Sequence, residues 1–185
     1  MKCKGSKPAI LEYYPHTQFP NPIYQLSQVA PTLKITTPTL LEKTSAEACH
    51  RTCYFNYQIT SGTHYFQVKM INPGPNAYIM FGIVKDGFSL NGSTYPGSDA
   101  NSFGYYFSSG NKYHRAGAAG FAQPTKQAGS TVGMLVDMDA RTITYFADGQ
   151  LLGTAFGSDS IPAGQTWYPA IALYELSAVA IEHFE

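Results

Sequence analysis

Residues 131–156 read TVGMLVDMDARTITYFADGQLLGTAF. Three short runs, TVGMLVDM, RTITYFAD and QLLGTAF, are divided by Asp139-Ala140 and Asp148-Gly149. Their period of two is that of β-strands rather than helices. Asp-Gly between two such runs predicts a tight hairpin, because glycine readily takes the positive φ of a type I′ turn. The same stretch carries two acids two residues apart, Asp137 and Asp139. Either they do chemistry or they help the chain to turn.

The pattern extends in both directions. In THYFQVKM (63–70), His64, Phe66, Val68 and Met70 fall on one face and Tyr65, Gln67 and Lys69 on the other. YIMFGIVK (78–85) is nearly continuously apolar, as suits a central strand covered on both faces, and YPAIALY and AVAIEHF close the chain. About a dozen strands with no 3.6-residue periodicity argue for an all-β antiparallel sandwich. No repeat of 20–50 residues points to a propeller or solenoid. The first 45 residues differ: Pro8, Pro15, Pro20, Pro22, Pro31 and Pro38 break them into short pieces. They read as a proline-rich N-terminal arm (1–45) wrapping a single sandwich domain (46–185).

A chain of 185 residues, 44% apolar and only 13% charged, can form a packed core. Its formal net charge of zero removes the general field that draws proteins to nucleic acid or anionic membranes. Three cysteines, with no signal-like segment and no apolar run long enough to span a bilayer, place the chain in a reducing, intracellular (cytoplasmic) setting. Asn91-Gly92-Ser93 matches a glycosylation acceptor and reads, without a secretion signal, as a turn.

Two acids on one strand face suit a glycosidase pair or part of a calcium site, but either needs supporting carboxylates or oxygens. No glutamate is near in sequence, so the turn role is favoured, with a carbohydrate-binding or carbohydrate-active sandwich using Asp137 and Asp139 as the rival. Cys49-His50-x-x-Cys53 offers three zinc ligands where a closed site needs four. Lys112, His114 and Arg115 around Tyr113 make a small basic cluster, which on a neutral domain reads as a solvated loop. No Gly-x-Ser-x-Gly elbow is present, so no catalytic residue and no cofactor are assigned. Trp167, the one tryptophan, reads as core. Two long connections, 85–100 and 110–130, carry Phe88 and Tyr95, and Tyr113, His114, Arg115 and Phe121. Aromatics in such loops either pin the loop to the body or await a partner.

Several of these stretches, taken together and in order, resemble the SPRY domain family. SGTHYFQVKM is similar to that family's Gly-x-His-Tyr-Trp-Glu-Val strand, and SFGYYFSSGNKYH to its Ser-(Trp/Phe)-Gly-Tyr segment. GSTVGMLVDMDARTITYFADGQLLGTAF resembles its Gly-Asp-x-Val-Gly, Leu-Asp, Thr-Ile-x-Phe and Leu-Gly-x-Ala-Phe series, and WYPAIALY its last Tyr-Pro-x-(Val/Ile) strand. The chain departs from the family at Phe66-Gln67 and Ser130, and has no Leu-Asp-Pro motif of the extra N-terminal subdomain. The resemblance implies a bent, concanavalin-like two-sheet β-sandwich without catalytic activity, binding a protein or peptide through loops at one end, often within a larger scaffold or ubiquitin-ligase-type protein. Carried over residue by residue, it implies a partner surface at Tyr95, at Leu173, Tyr174 and Glu175, and in the loop Thr44–Arg51. Phe88 and Tyr113 join the candidates as loop aromatics. The expected partner is a protein or peptide, with no nucleic acid and no membrane, and the domain is expected to be a monomer.

Overall fold

The computed structural model describes residues 12, 14–25 and 32–184. Fourteen strands follow in order: β1 (Tyr24–Gln25), β2 (Leu33–Thr37), β3 (Leu40–Lys43), β4 (Arg51–Phe55), β5 (Thr63–Asn72), β6 (Met80–Lys85), β7 (Ser102–Tyr106), β8 (Asn111–His114), β9 (Gly117–Gly120), β10 (Thr131–Asp137), β11 (Thr142–Ala147), β12 (Gln150–Phe156), β13 (Trp167–Leu173) and β14 (Ala178–Glu182). They form two seven-stranded antiparallel sheets, ordered β1-β4-β13-β6-β7-β8-β9 (sheet I) and β12-β11-β10-β5-β14-β3-β2 (sheet II). The all-β sandwich is therefore as expected. No helix among the described residues is long and apolar enough to cross a membrane.

Alternation builds the core. Phe66, Val68 and Met70 of β5 meet Phe55, Phe81, Phe103 and Trp167 of sheet I, all at most 2% exposed. The other face of β5 is covered too. Tyr65 packs with Phe146 and Phe184, and Phe19, from the N-terminal segment, lies with its ring 6.0 Å from Tyr65 and 5.9 Å from Phe184. Asp148 and Gly149 take φ of 48° and 78°, the two left-handed residues of the expected hairpin between β11 and β12. Residues 33–43, within the segment read as an arm, are two strands of sheet II, β3 pairing with β14.

The outer face of sheet I is unusual in carrying few side chains at its centre. Gly82 of β6 pairs with both Gly104 of β7 and Ala170 of β13. This bare strip seats the connection from residue 86 to 101. Thr52 Oγ1 donates to the Thr94 carbonyl (2.6 Å), Tyr54 to the Phe88 carbonyl (2.6 Å), and Gly97 N to Ser102 Oγ (2.9 Å). A β-carbon on Gly104 would lie 2.0 Å from the Pro96 carbonyl oxygen. The backbone of the loop thus touches the backbone of the sheet.

Gly104→Ala is expected to lift this loop and to lower stability by about 2 kcal/mol or more, since the clash is with backbone on both sides. Urea denaturation of the two proteins measures the difference.

Candidate functional site

The opening aspartates are turn residues. Asp137 Oδ1 accepts from the N–H groups of Asp139 (3.0 Å) and Ala140 (2.8 Å), and Asp139 Oδ1 from that of Gly62 (3.2 Å). Arg141 donates to the Ile161 carbonyl instead of pairing with either acid. Of the basic cluster, Lys112 donates to the Ala155 carbonyl (2.5 Å), and His114 stacks on Phe103 with ring centroids 4.2 Å apart. Both hold the sandwich together. Cys53 is buried against the Gln25 carbonyl, and no group of three metal-ligating side chains occurs among the described residues. A cleft of about 510 Å³ at the β11–β12 edge is lined by Gln123, Lys126, Asp148, Gln150 and Leu151 among others, mostly exposed.

A denser constellation forms at one end of sheet I. The register puts Leu173 opposite Arg51, Ala172 opposite Met80, and Met80 opposite Tyr106. The start of β4, the start of β6 and the ends of β7 and β13 therefore converge. His50, Tyr78, Tyr106 and Tyr174 stand at those four places, and Tyr95 and Tyr113 join from the seated loop and β8. The His50 ring centroid lies 4.8 Å from Tyr174, 5.0 Å from Tyr95 and 6.2 Å from Tyr106. Tyr78 lies 5.2 Å from Tyr174 and 5.8 Å from Tyr106, and Tyr113 lies 5.7 Å from Tyr106 and 6.0 Å from Tyr95. All six rings are half-buried. Asp137 pairs with Thr63 at the far end of β5, so the aspartates lie at the opposite end of the sandwich.

The hydroxyls separate two kinds of tyrosine. Tyr54, Tyr65, Tyr105 and Tyr145 each donate to a defined acceptor, the last to the Phe81 carbonyl at 2.9 Å. Those of Tyr78, Tyr95, Tyr106, Tyr113 and Tyr174 bond no described residue. Beneath them, His50 Nε2, Arg51 Nε and Thr94 Oγ1 are buried without a partner. Buried polar atoms are normally paired, and the other such orphans among the described residues are on Tyr24, Thr32 and Trp167. Burial lowers His50 to a pKa of about 4, reinforced by the buried Lys43 and opposed by the Tyr78 carbonyl. Burial likewise raises the hydroxyls of Tyr95, Tyr106 and Tyr174, so the surface presents neutral phenols.

Supporting residues fix the two loops. Lys43, 2% exposed, sends its ammonium to Ser45 Oγ (3.1 Å) and the Glu47 carbonyl (2.7 Å). Arg51 binds both carboxylate oxygens of Glu47 (2.9 and 3.1 Å) and the Gly92 carbonyl (2.7 Å). After Tyr174, Glu175 and Leu176 take φ of 28° and 47°, left-handed values that side-chain-bearing residues rarely adopt. The turn is tied by Leu176 N to the Ser45 carbonyl (3.1 Å) and Asn72 Nδ2 to the Leu176 carbonyl (2.9 Å).

Tyr95, Tyr113, Tyr174 and Glu175 thus gather at one end. Two of the expected contact residues do not. Leu173 is fully buried, because strand alternation turns it into the core, and Phe88, 6% exposed, is the hydrophobic anchor that pins its loop onto Val84 and Ala170. Sequence reasoning passed over Tyr78 and Tyr106, and took in His50 as a metal-ligand candidate and within the loop Thr44–Arg51. The signal for Tyr106 was present: in SFGYYF it falls opposite Phe103, Tyr105 and Phe107, which face the core.

Comparison with known proteins agrees with the fold. The SPRY domain model matches residues 63–183. Ran-binding protein 9 of Xenopus laevis is 30% identical over 142 residues, which span 77% of this chain and 25% of that protein. The Ran-binding proteins 9/10 homolog of Drosophila melanogaster is 32% identical over 124 residues, 67% of this chain and 13% of that one. The chain therefore spans a quarter or less of these relatives' length. Among solved structures, the SPRY domain of human HERC1 superposes with a TM-score of 0.69 at 19% identity, covering 83% of this chain and 93% of that one. The TRIM65 PSpry domain gives 0.72 at 13% identity and covers 97% of both.

Two measurements probe this site. Tyr145→Phe is expected to cost about 1 kcal/mol of stability by removing a buried hydrogen bond to the Phe81 carbonyl, whereas Tyr95→Phe and Tyr174→Phe stay within about 0.5 kcal/mol of wild type. In the unfolded chain His50 titrates near 6.5, in the fold near 4. Between these values the unfolded state binds the extra proton, so stability is full above about pH 6.5 and is lost as pH falls through about 4, by up to about 3 kcal/mol. The slope of unfolding free energy against pH should be shallower in His50→Gln.

Proposed function

Because the chain belongs to the SPRY domain family, we propose that it is a protein-interaction module that receives a short segment of a partner on the end surface formed by His50, Tyr78, Tyr95, Tyr106, Tyr113 and Tyr174, with Glu175 at its rim. The observation that carries this reading is the set of free hydroxyls. Most tyrosines that brace this fold have their hydroxyls bonded, as Tyr54, Tyr65, Tyr105 and Tyr145 do, the buried Tyr24 being an exception. Half-buried rings with free polar tips are what a binding surface needs, since a partner gains rigid apolar contact and hydrogen bonds together. Little reorganisation is required, because both flanking loops are already held by Lys43, Arg51 and the bare strip. The small share of each relative that the chain matches supports a recognition part within a longer protein. The carbohydrate reading loses its support, as Asp137 and Asp139 hold backbone N–H groups.

The test is a pull-down from cell lysate with the wild-type domain beside a folded Tyr95→Ala/Tyr174→Ala double variant, with partners identified by mass spectrometry. Partners retained by wild type and lost by the variant are expected, each true hot spot being worth about 2 kcal/mol or more. Equal retention by both would remove these tyrosines from the binding surface.

A further inference from the structure

The charges around the aromatic surface are unequally committed. Arg51 is locked by Glu47 and the Gly92 carbonyl, and Lys43 is buried among oxygens of Ser45 and Glu47. His50 is neutral at physiological pH. The exception is Glu175. Half-buried beside Tyr174, it has no ion-pair partner among the described residues, where Arg51–Glu47 is the pair found. Its charge acts on Tyr174, adding to burial in raising that hydroxyl. The backbone holds it there at a cost, with Glu175 and Leu176 both left-handed. Such strain persists where the surroundings impose it, often at ligand sites. Leu176 beside it is 48% exposed, an apolar flank to the carboxylate.

The neighbouring rings add the same sign. An aromatic face is electronegative and attracts a cation within about 6 Å of its centroid. Free phenol oxygens accept hydrogen bonds from an ammonium or guanidinium. We propose that this surface, taken as the binding site proposed above, selects a partner segment bearing an arginine or lysine, whose charge meets Glu175 while its stem lies over the tyrosines. An acidic residue in that place meets like charge, and a neutral one leaves the carboxylate unpaired. The selection thus has a repulsive as well as an attractive component.

An immobilised array of eleven-residue peptides, each with one fixed central residue in a degenerate Gly/Ala/Ser background, provides the probe. It is developed with the wild-type domain, Glu175→Gln, Glu175→Lys and Tyr95→Ala/Tyr174→Ala, each shown by thermal melting to be folded. Wild type is expected to favour central arginine or lysine over aspartate or glutamate by about five- to tenfold, and less at high salt. Glu175→Gln should flatten the preference and Glu175→Lys reverse it, while the double tyrosine variant loses all binding. Binding that needs the tyrosines but shows no basic preference, or keeps that preference unchanged in Glu175→Lys, would overturn the charge assignment and leave the surface standing. Peptide binding indifferent to Tyr95 and Tyr174, or no binding by wild type, would overturn both.

Discussion

The seat of the 86–101 connection on sheet I is the contact on which the aromatic end of the sandwich depends. Gly82, Gly104 and Ala170 leave no room to fill and nothing to clash, so a loop backbone can lie on a strand backbone. Hydroxyls of Thr52, Tyr54 and Ser102 then satisfy loop carbonyls and N–H groups that would otherwise be buried unpaired. Phe88 fills the space at one end, against Val84 and Ala170. Tyr95, near the other end, is left beside His50 and Tyr113. A side chain added at Gly104 would displace the ring along with the loop.

A second constraint concerns where the aromatic residues stand. With fourteen tyrosines in 185 residues, the chain has many rings that look alike in sequence. With the buried Tyr24 as an exception, the structure sorts core from surface by the fate of the hydroxyl. Tyr105 and Tyr145 pass theirs to the Gln123 and Phe81 carbonyls and become part of the core. At the strand ends no such acceptor is within reach, and the rings lean on each other instead. Edge-to-face and tilted pairs, with centroids about 5–6 Å apart, give this group rigidity without using its polar tips.

Much of the fold was legible because it rests on local signals. Asp148-Gly149 fixed a hairpin, and the alternation in THYFQVKM assigned the faces of β5 correctly. What covers the outer face of that strand left no local signal, since Phe19 and Phe184 come from distant parts of the chain. The aromatic end was half legible. Tyr95, Tyr174 and Glu175 were placed by resemblance and Tyr113 as a loop aromatic, but their company depends on strand register, which brings residues 50, 78, 106 and 174 together and leaves no mark in any one segment. Leu173 and Phe88 lie buried for a simpler reason: next to an outward residue in a strand stands an inward one, and a loop aromatic can be the nail as easily as the hook.

Lys43 has a wider meaning than holding one loop. Its ammonium gathers the Glu47 carbonyl and the Ser45 hydroxyl much as a bound calcium ion gathers oxygens in the loops of other proteins. A free ion dissociates when its concentration falls, and the loop it shaped then relaxes. An ion tethered to the backbone of β3 does not leave. The loop from 44 to 51 is therefore gathered by a cation that belongs to the chain rather than to the medium.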